Sequence, residues 1–160
     1  MTLAVVLLLA VLIGVVAGLR AMTAPAVVAW AAQLGWIDLS DTWASWVDSP
    51  ITVAIFSVLA IGELITDQLP KTPSRKSPPQ FGTRLILGGL AGAVIGAEWG
   101  YSWGALAAGV VGAVLGTLGG YEARKRLVAA NGGHDLPIAL TEDAIAVGGG
   151  FLIVYLASFI

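Results

Sequence analysis

Two pairs of carboxylates stand inside stretches that are otherwise almost free of charge. Glu63 and Asp67, in Gly62-Glu63-Leu64-Ile65-Thr66-Asp67, are four residues apart and would share one face of a helix. Glu142 and Asp143 are adjacent and open the apolar part of the last hydrophobic stretch. Pro70 follows Glu63 by about two helical turns, and Pro137 precedes Glu142 by a similar distance, so both pairs fall at similar depth. Arg20, between the first two apolar stretches, belongs at that same level. An ionisable side chain inside a membrane span costs about 2.5–3.5 kcal/mol on insertion scales, which makes each one a functional candidate by default. Arginine stays charged and can bind a carboxylate through two hydrogen bonds. Carboxylates crowded together favour sharing a proton, the basis of a proton-coupled site. Their oxygens also suit hard cations such as Ca²⁺, Mg²⁺ or Mn²⁺.

Plainer explanations compete at each position. Glu142 follows Thr141 near a helix start, where an acid suits the helix dipole. Asp67 is close enough to Pro70 to be interfacial and solvated. Glu63 lies deeper in its apolar run and is harder to explain that way.

The elements that carry these residues follow from composition. Of the 160 residues, 58% are hydrophobic and 11% charged, with a mean hydropathy of +0.89. Soluble domains carry roughly 25% charge, so the chain lacks the polar shell that a water-facing surface needs. Six apolar stretches are spaced as an all-α membrane bundle, at 3–19, 22–36, 51–69, 85–99, 103–121 and 136–160. A span needs ~20 apolar residues; the second stretch is short and contains Pro25. The joints at Arg20-Ala21 and 100–102 are tight, and the longer loops are 37–50, 70–84 and 122–135. The first stretch has no Lys or Arg ahead of Arg20, so it reads as a retained helix and not a signal peptide.

Cytoplasmic loops carry an excess of Lys and Arg. Lys71, Arg75, Lys76 and Arg84 share one loop and Arg124, Lys125 and Arg126 another, whereas Asp38, Asp41 and Asp48 occupy a loop without either. Six helices with both termini outside put every basic residue on the cytoplasmic side and gather the six tryptophans (30, 36, 43, 46, 99 and 103) toward the acidic outer side. A five-helix arrangement, with the N-terminus inside and 22–36 lying on the surface or re-entrant, satisfies both basic loops and the same tryptophan belt but leaves Arg20 outside. The six-helix layout has matching halves, 1–69 and 84–160, each with a tight joint and then a long loop. That is the spacing of an inverted repeat, a pattern common in transporters. Chance spacing gives it equally.

Gly88, Gly92, Gly96 and Gly100 recur every four residues, as do Gly112, Gly116 and Gly120. Such stripes let helices approach closely in lipid, within one chain or between copies of a homo-oligomer. Gly148 to Gly150 are expected to loosen the last helix. The 71–79 segment reads as a topology determinant in contact with lipid headgroups, with a phosphate site as the minor alternative. The single histidine, His134, reads as solvated. There is no cysteine, so thiolate metal sites and Cys nucleophiles are excluded. No Ser-His-Asp set, phosphate loop or zinc spacing appears, so an enzyme is not expected. The net charge of −2 gives no signal for nucleic acid.

Three blocks, Gly18-Leu19-Arg20-Ala21, Glu63-Leu64-Ile65-Thr66-Asp67-Gln68-Leu69-Pro70 and Leu140-Thr141-Glu142-Asp143-Ala144-Ile145-Ala146-Val147-Gly148, resemble in order and spacing the bacterial membrane proteins grouped as domain of unknown function 4126. Gln68 departs from that pattern, where such sequences often have Lys, and removes an ion-pair partner for Asp67. The resemblance supports the fold and the choice of residues and implies no activity. A looser analogy is to cation/proton exchangers built from inverted three-helix repeats, although here the spacing of the acids differs. The expectation is a multi-pass protein of the bacterial inner membrane, in contact with lipids. It would be a small transporter or channel-like carrier for a cation, proton-coupled through Glu63, Asp67, Glu142 and Asp143 with Arg20 as counter-charge. It needs no cofactor beyond a bound cation. The alternatives are a non-transporting scaffold or accessory subunit whose charges lock the helices, and a handler of anionic lipids or phosphate compounds.

Overall fold

Proline and glycine set most of the helix boundaries. A computed structural model describes residues 3–66, 78–130, 132–133 and 135–159. Among these it contains six α-helices and no strand: α1 (Leu3–Leu19), α2 (Thr23–Gln33), α3 (Pro50–Thr66), α4 (Pro78–Ala97), α5 (Ser102–Ala130) and α6 (Asp135–Ala157), with a short 3-10 turn at Ser45–Asp48. Gly35 ends α2 at φ 80 and Gly100 turns α4 into α5 at φ 76, conformations that favour glycine. Pro25 sits in the first turn of α2, where the missing N–H costs nothing.

Two boundaries and the continuity of the last helix differ from the sequence expectation. Helix α4 starts at Pro78 and not near residue 85, because Pro78 and Pro79 fall in its first turn, a position that suits proline. Helix α5 continues to Ala130, so most of the expected 122–135 loop is helical; Glu122-Ala-Arg-Lys-Arg-Leu is rich in strong helix formers and carries the helix past its apolar part. Helix α6 runs unbroken through Gly148–Gly150, since the residues on both sides hold the helix and Gly150 packs against Val27. Asp67, Lys71, Arg75, Lys76 and His134 lie outside the described residues.

Helices α1, α4 and α5 form a tight triplet. A Cβ on Gly112 would overlap the carbonyl oxygen of Val11, and one on Gly116 that of Val15. Gly14 and Gly18 meet Gly109 and Thr117 in the same way, so α1 and α5 run parallel with backbones in contact. Gly88 faces Ala113, and Gly92 and Gly96 face Ala105, so α4 lies antiparallel to α5. Gly88, Gly92, Gly96, Gly112 and Gly116 of the two stripes are therefore used inside the chain. Helix α2 fills the remaining interior, with nine of its eleven residues buried, and touches α3, α4 and α6. It has only 11 residues where α5, its counterpart in the suggested repeat, has 29.

The interior is mostly apolar, and the outer faces of the helices are apolar too. Arg20, Thr23, Arg84 and Thr117 are buried, while Leu8, Ile55, Val58, Ile86, Leu115, Ile145 and Leu152 are exposed. Among the described residues, Ser102–Ala130 and Pro137–Ala157 are long and apolar enough to cross a membrane; Leu3–Leu19, Pro50–Ile65 and Phe81–Ala97 are apolar but shorter.

Glycine substitutions should separate by position. Gly112→Ala forces two backbones apart and should destabilise by about 1–3 kcal/mol. Gly119→Ala, with open space around it, should stabilise slightly, by roughly 0.5–1 kcal/mol from helix propensity. Thermal unfolding of the two variants in one detergent checks the opposite signs; equal shifts would remove the packing argument.

Candidate functional site

Helix α1 ends where Arg20 leaves the helical ladder, with its N–H still bonded to the carbonyl of Val16 at 2.8 Å. The carbonyls of its last turn then need donors, and two arginines supply them. Arg20 Nη1 donates to the carbonyl of its neighbour Leu19 at 2.8 Å. Arg84, from the first half of α4, donates through Nη1 to Gly18 at 2.9 Å and Ala17 at 3.4 Å. Two cations at the negative end of a helix dipole are well placed.

The rest of the Arg20 guanidinium turns to α6. Nη1 pairs with Glu142 Oε1 at 2.5 Å, Nε with Asp143 Oδ1, and Nη2 reaches the carbonyl of Ala139 at 3.5 Å. Adjacent residues on a helix diverge by about 100°, and a guanidinium lying between Glu142 and Asp143 takes both. The Arg20 side chain is fully buried, while Glu142 and Asp143 keep 10% and 14% of their exposure. Glu63 approaches from α3, where its Oε1 accepts the N–H of Met22 at 3.0 Å. The bend between α1 and α2 thus lies between α6 on one side and α3 on the other.

The structure brings together Arg20, Glu142 and Asp143, and sets Glu63 against the same bend. Asp67 lies outside the described residues. Among the described residues no group of three His, Cys, Asp or Glu is arranged to hold a metal ion. Sequence reasoning missed Arg84, which it assigned to a loop; the signal was a lone arginine directly ahead of an apolar run. It also missed Thr23 and Thr117, whose buried hydroxyls have no hydrogen-bond partner among the described residues. A single threonine in an apolar helix gives no such sign.

The opposite end of the bundle is aromatic and acidic. Trp36 packs edge-on to Tyr155 at 5.2 Å and Trp46 to Phe56 at 6.3 Å. The Trp43 indole N–H donates to Ser102 Oγ at 2.8 Å, pinning the 37–50 loop to the α4–α5 turn. Trp30 lies deeper than the others, its indole N–H bonded to Ser57 in α3 at 2.7 Å. In the loop, Asp38 accepts the Ser40 hydroxyl at 2.7 Å and its N–H at 3.0 Å, which holds its carboxyl below the usual range. Glu98, in the α4–α5 turn, is shifted the other way. Burial pushes its carboxyl up, and the nearby Asp38 charge adds to this against a hydrogen bond from the Asp38 N–H. One of its oxygens, Oε2, is buried with no hydrogen-bond partner among the described residues.

A carboxyl with a raised pKa favours folding most below its ordinary value of 4.5, and that contribution is lost as pH rises through the folded pKa. Glu98→Gln should therefore raise the thermal midpoint at pH 7 and leave it nearly unchanged at pH 4. The gain should stay under about 1 kcal/mol because the group is partly solvated. Melting curves at the two pH values check it, and an equal shift at both would refute the assignment.

The family model described as Domain of unknown function (DUF4126) matches residues 7–159. The chain belongs to that family. No curated protein and no solved structure matches it.

Proposed function

We propose that this member of the family is a six-pass protein of the bacterial cytoplasmic membrane and a small cation carrier, proton-coupled through the charges around Arg20. The observation that carries this reading is the gathering of ionisable side chains at one bend of an apolar bundle. Arg20 bonds to Glu142 and Asp143, Glu63 accepts the Met22 N–H at the same bend, and Arg84 bonds to the end of α1. Carboxylates gathered in a low-dielectric interior can exchange a proton or a cation. The cluster also lies at a helix break, where carriers commonly build their sites.

Six passes are supported by the course of α2. Met22 lies beside Glu63 at one end, and Trp36 beside Tyr155 at the other. Being enclosed by other helices, α2 need not match the thickness of the lipid. The basic end, with Arg124–Arg126 on the extension of α5, then faces the cytoplasm, and both termini lie outside. Reporters fused at either terminus should both read as external; a cytoplasmic N-terminus would replace this reading with five passes. The order of three helices in each half extends the proposal to an inverted repeat with halves of unequal helix length.

In liposomes with an imposed pH gradient, Glu63→Gln should lower cation flux by about tenfold or more, the effect of losing ~1.4 kcal/mol or more of stabilisation, with the fold retained. A second reading is that the cluster is a structural lock, and the many acceptors around Arg20 favour it. On that reading the native protein shows no flux, and Arg20→Ala costs about 3–5 kcal/mol of stability by leaving carboxylates uncompensated. Flux and thermal unfolding measured on both variants separate the two.

A further inference from the structure

A groove of about 800 Å³ runs along the outer side of α4, between α5 and the 37–50 loop. Its floor is Ile86, Leu90, Ala93 and Ala97 of α4, with Leu106 from α5. From Ile86 to Ala97 is about 16 Å at 1.5 Å per helical residue, close to the ~15 Å of one leaflet's hydrocarbon, half of a ~30 Å core. The groove is apolar along this length and changes character only at the tryptophan end. There Asp41, Trp43 and Trp103 form the mouth. Trp43 is held in place by its bond to Ser102, and Trp103 is 85% exposed.

We propose that this groove seats one acyl chain of a membrane lipid whose amine-bearing headgroup rests against Asp41. Charge complementarity selects the headgroup. The loop at the mouth holds Asp38, Asp41 and Asp48 with no Lys or Arg, so an anionic lipid meets repulsion and an ammonium group finds a partner. The same charges argue against a second copy of the chain. Two copies inserted in the same direction and related by a two-fold axis through this groove would bring like aspartates together. The inference rests on the membrane placement proposed above and is independent of cation carriage.

The test uses the full chain, extracted in mild detergent and equilibrated with phosphatidylethanolamine and phosphatidylglycerol carrying identical tails, with bound lipid counted by native mass spectrometry. Phosphatidylethanolamine should be retained over phosphatidylglycerol by about two- to fivefold, as expected for one partly solvated ion pair. Asp41→Asn should abolish the preference while leaving total lipid unchanged. Ile86→Trp, at a position 71% exposed and free of packing constraints, should crowd the far end of the groove and reduce retention of both lipids. Equal retention of the two lipids by the native chain would overturn the inference, as would full retention by the Ile86 variant or a dimer that excludes lipid. Recovery of the native chain outside the membrane fraction would overturn the membrane placement as well. Loss of flux evidence alone would leave the lipid site standing.

Discussion

A fully buried guanidinium joins the beginning of this chain to its end. Arg20 sits at the first bend, and its partners Glu142 and Asp143 lie more than 120 residues later on the last helix. A buried guanidinium carries a full charge, so the surrounding chain must supply compensating charge. Helix α6 therefore has to present its acids at the depth of the α1–α2 bend, which fixes both its position along the bundle and its rotation. Glu63 constrains α3 in a similar way by accepting the N–H of Met22. Helices α3 and α6 are thus referenced to one turn of backbone.

That bend can be held only if the end of α1 is itself rigid, and here the glycines matter. Gly14 and Gly18 lie against α5 backbone, while Gly112 and Gly116 admit Val11 and Val15 from the other side. In the membrane placement proposed above, burying apolar surface between helices gains little, and such close backbone contact is a main source of cohesion. The close approach also brings α4 within reach of the α1 terminus, where Arg84 bonds to the Ala17 and Gly18 carbonyls. Close packing and charge placement are therefore one device. The carbonyls that α1 leaves unbonded are met by arginines because the glycines let those helices come near.

Much of this was legible in the residues. The apolar runs located every helix, and the depth argument from Pro70 and Pro137 set Arg20 beside Glu142 and Asp143. Glycine periodicity identified the packed faces, although it could not say whether the partner was another helix or another copy; that depends on three-dimensional register. The boundaries at Pro78 and Ala130 were misread because hydropathy marks where a segment is apolar, and a helix continues wherever its backbone bonds can form. Arg84 escaped notice for the same reason: counted with its loop it looked like a topology signal, and only the longer α4 turns it inward. Thr23 and Thr117 carried no periodic signal at all.

The two ends of the bundle handle charge in opposite ways, and the helix lengths express the difference. At the acidic end the chain turns tightly at Gly100, and a tryptophan-rich loop folds back over the helices, with Ile37, Leu39 and Val47 buried beneath it. Its carboxylates stay at the surface or, as with Glu98, are only partly covered. At the basic end α5 does not turn. Its 29 residues make about 43 Å of helix, longer than a ~30 Å hydrocarbon core, and the surplus carries Arg124, Lys125 and Arg126 beyond the apolar zone. Cations are thus carried outward on a helical extension, while Arg20 and Arg84 are buried and bonded. A residue's depth along its helix, more than its charge, decides which treatment it receives. Arg84 illustrates this, since it adjoins the apolar part of α4 and bonds to the α1 carbonyls of Ala17 and Gly18.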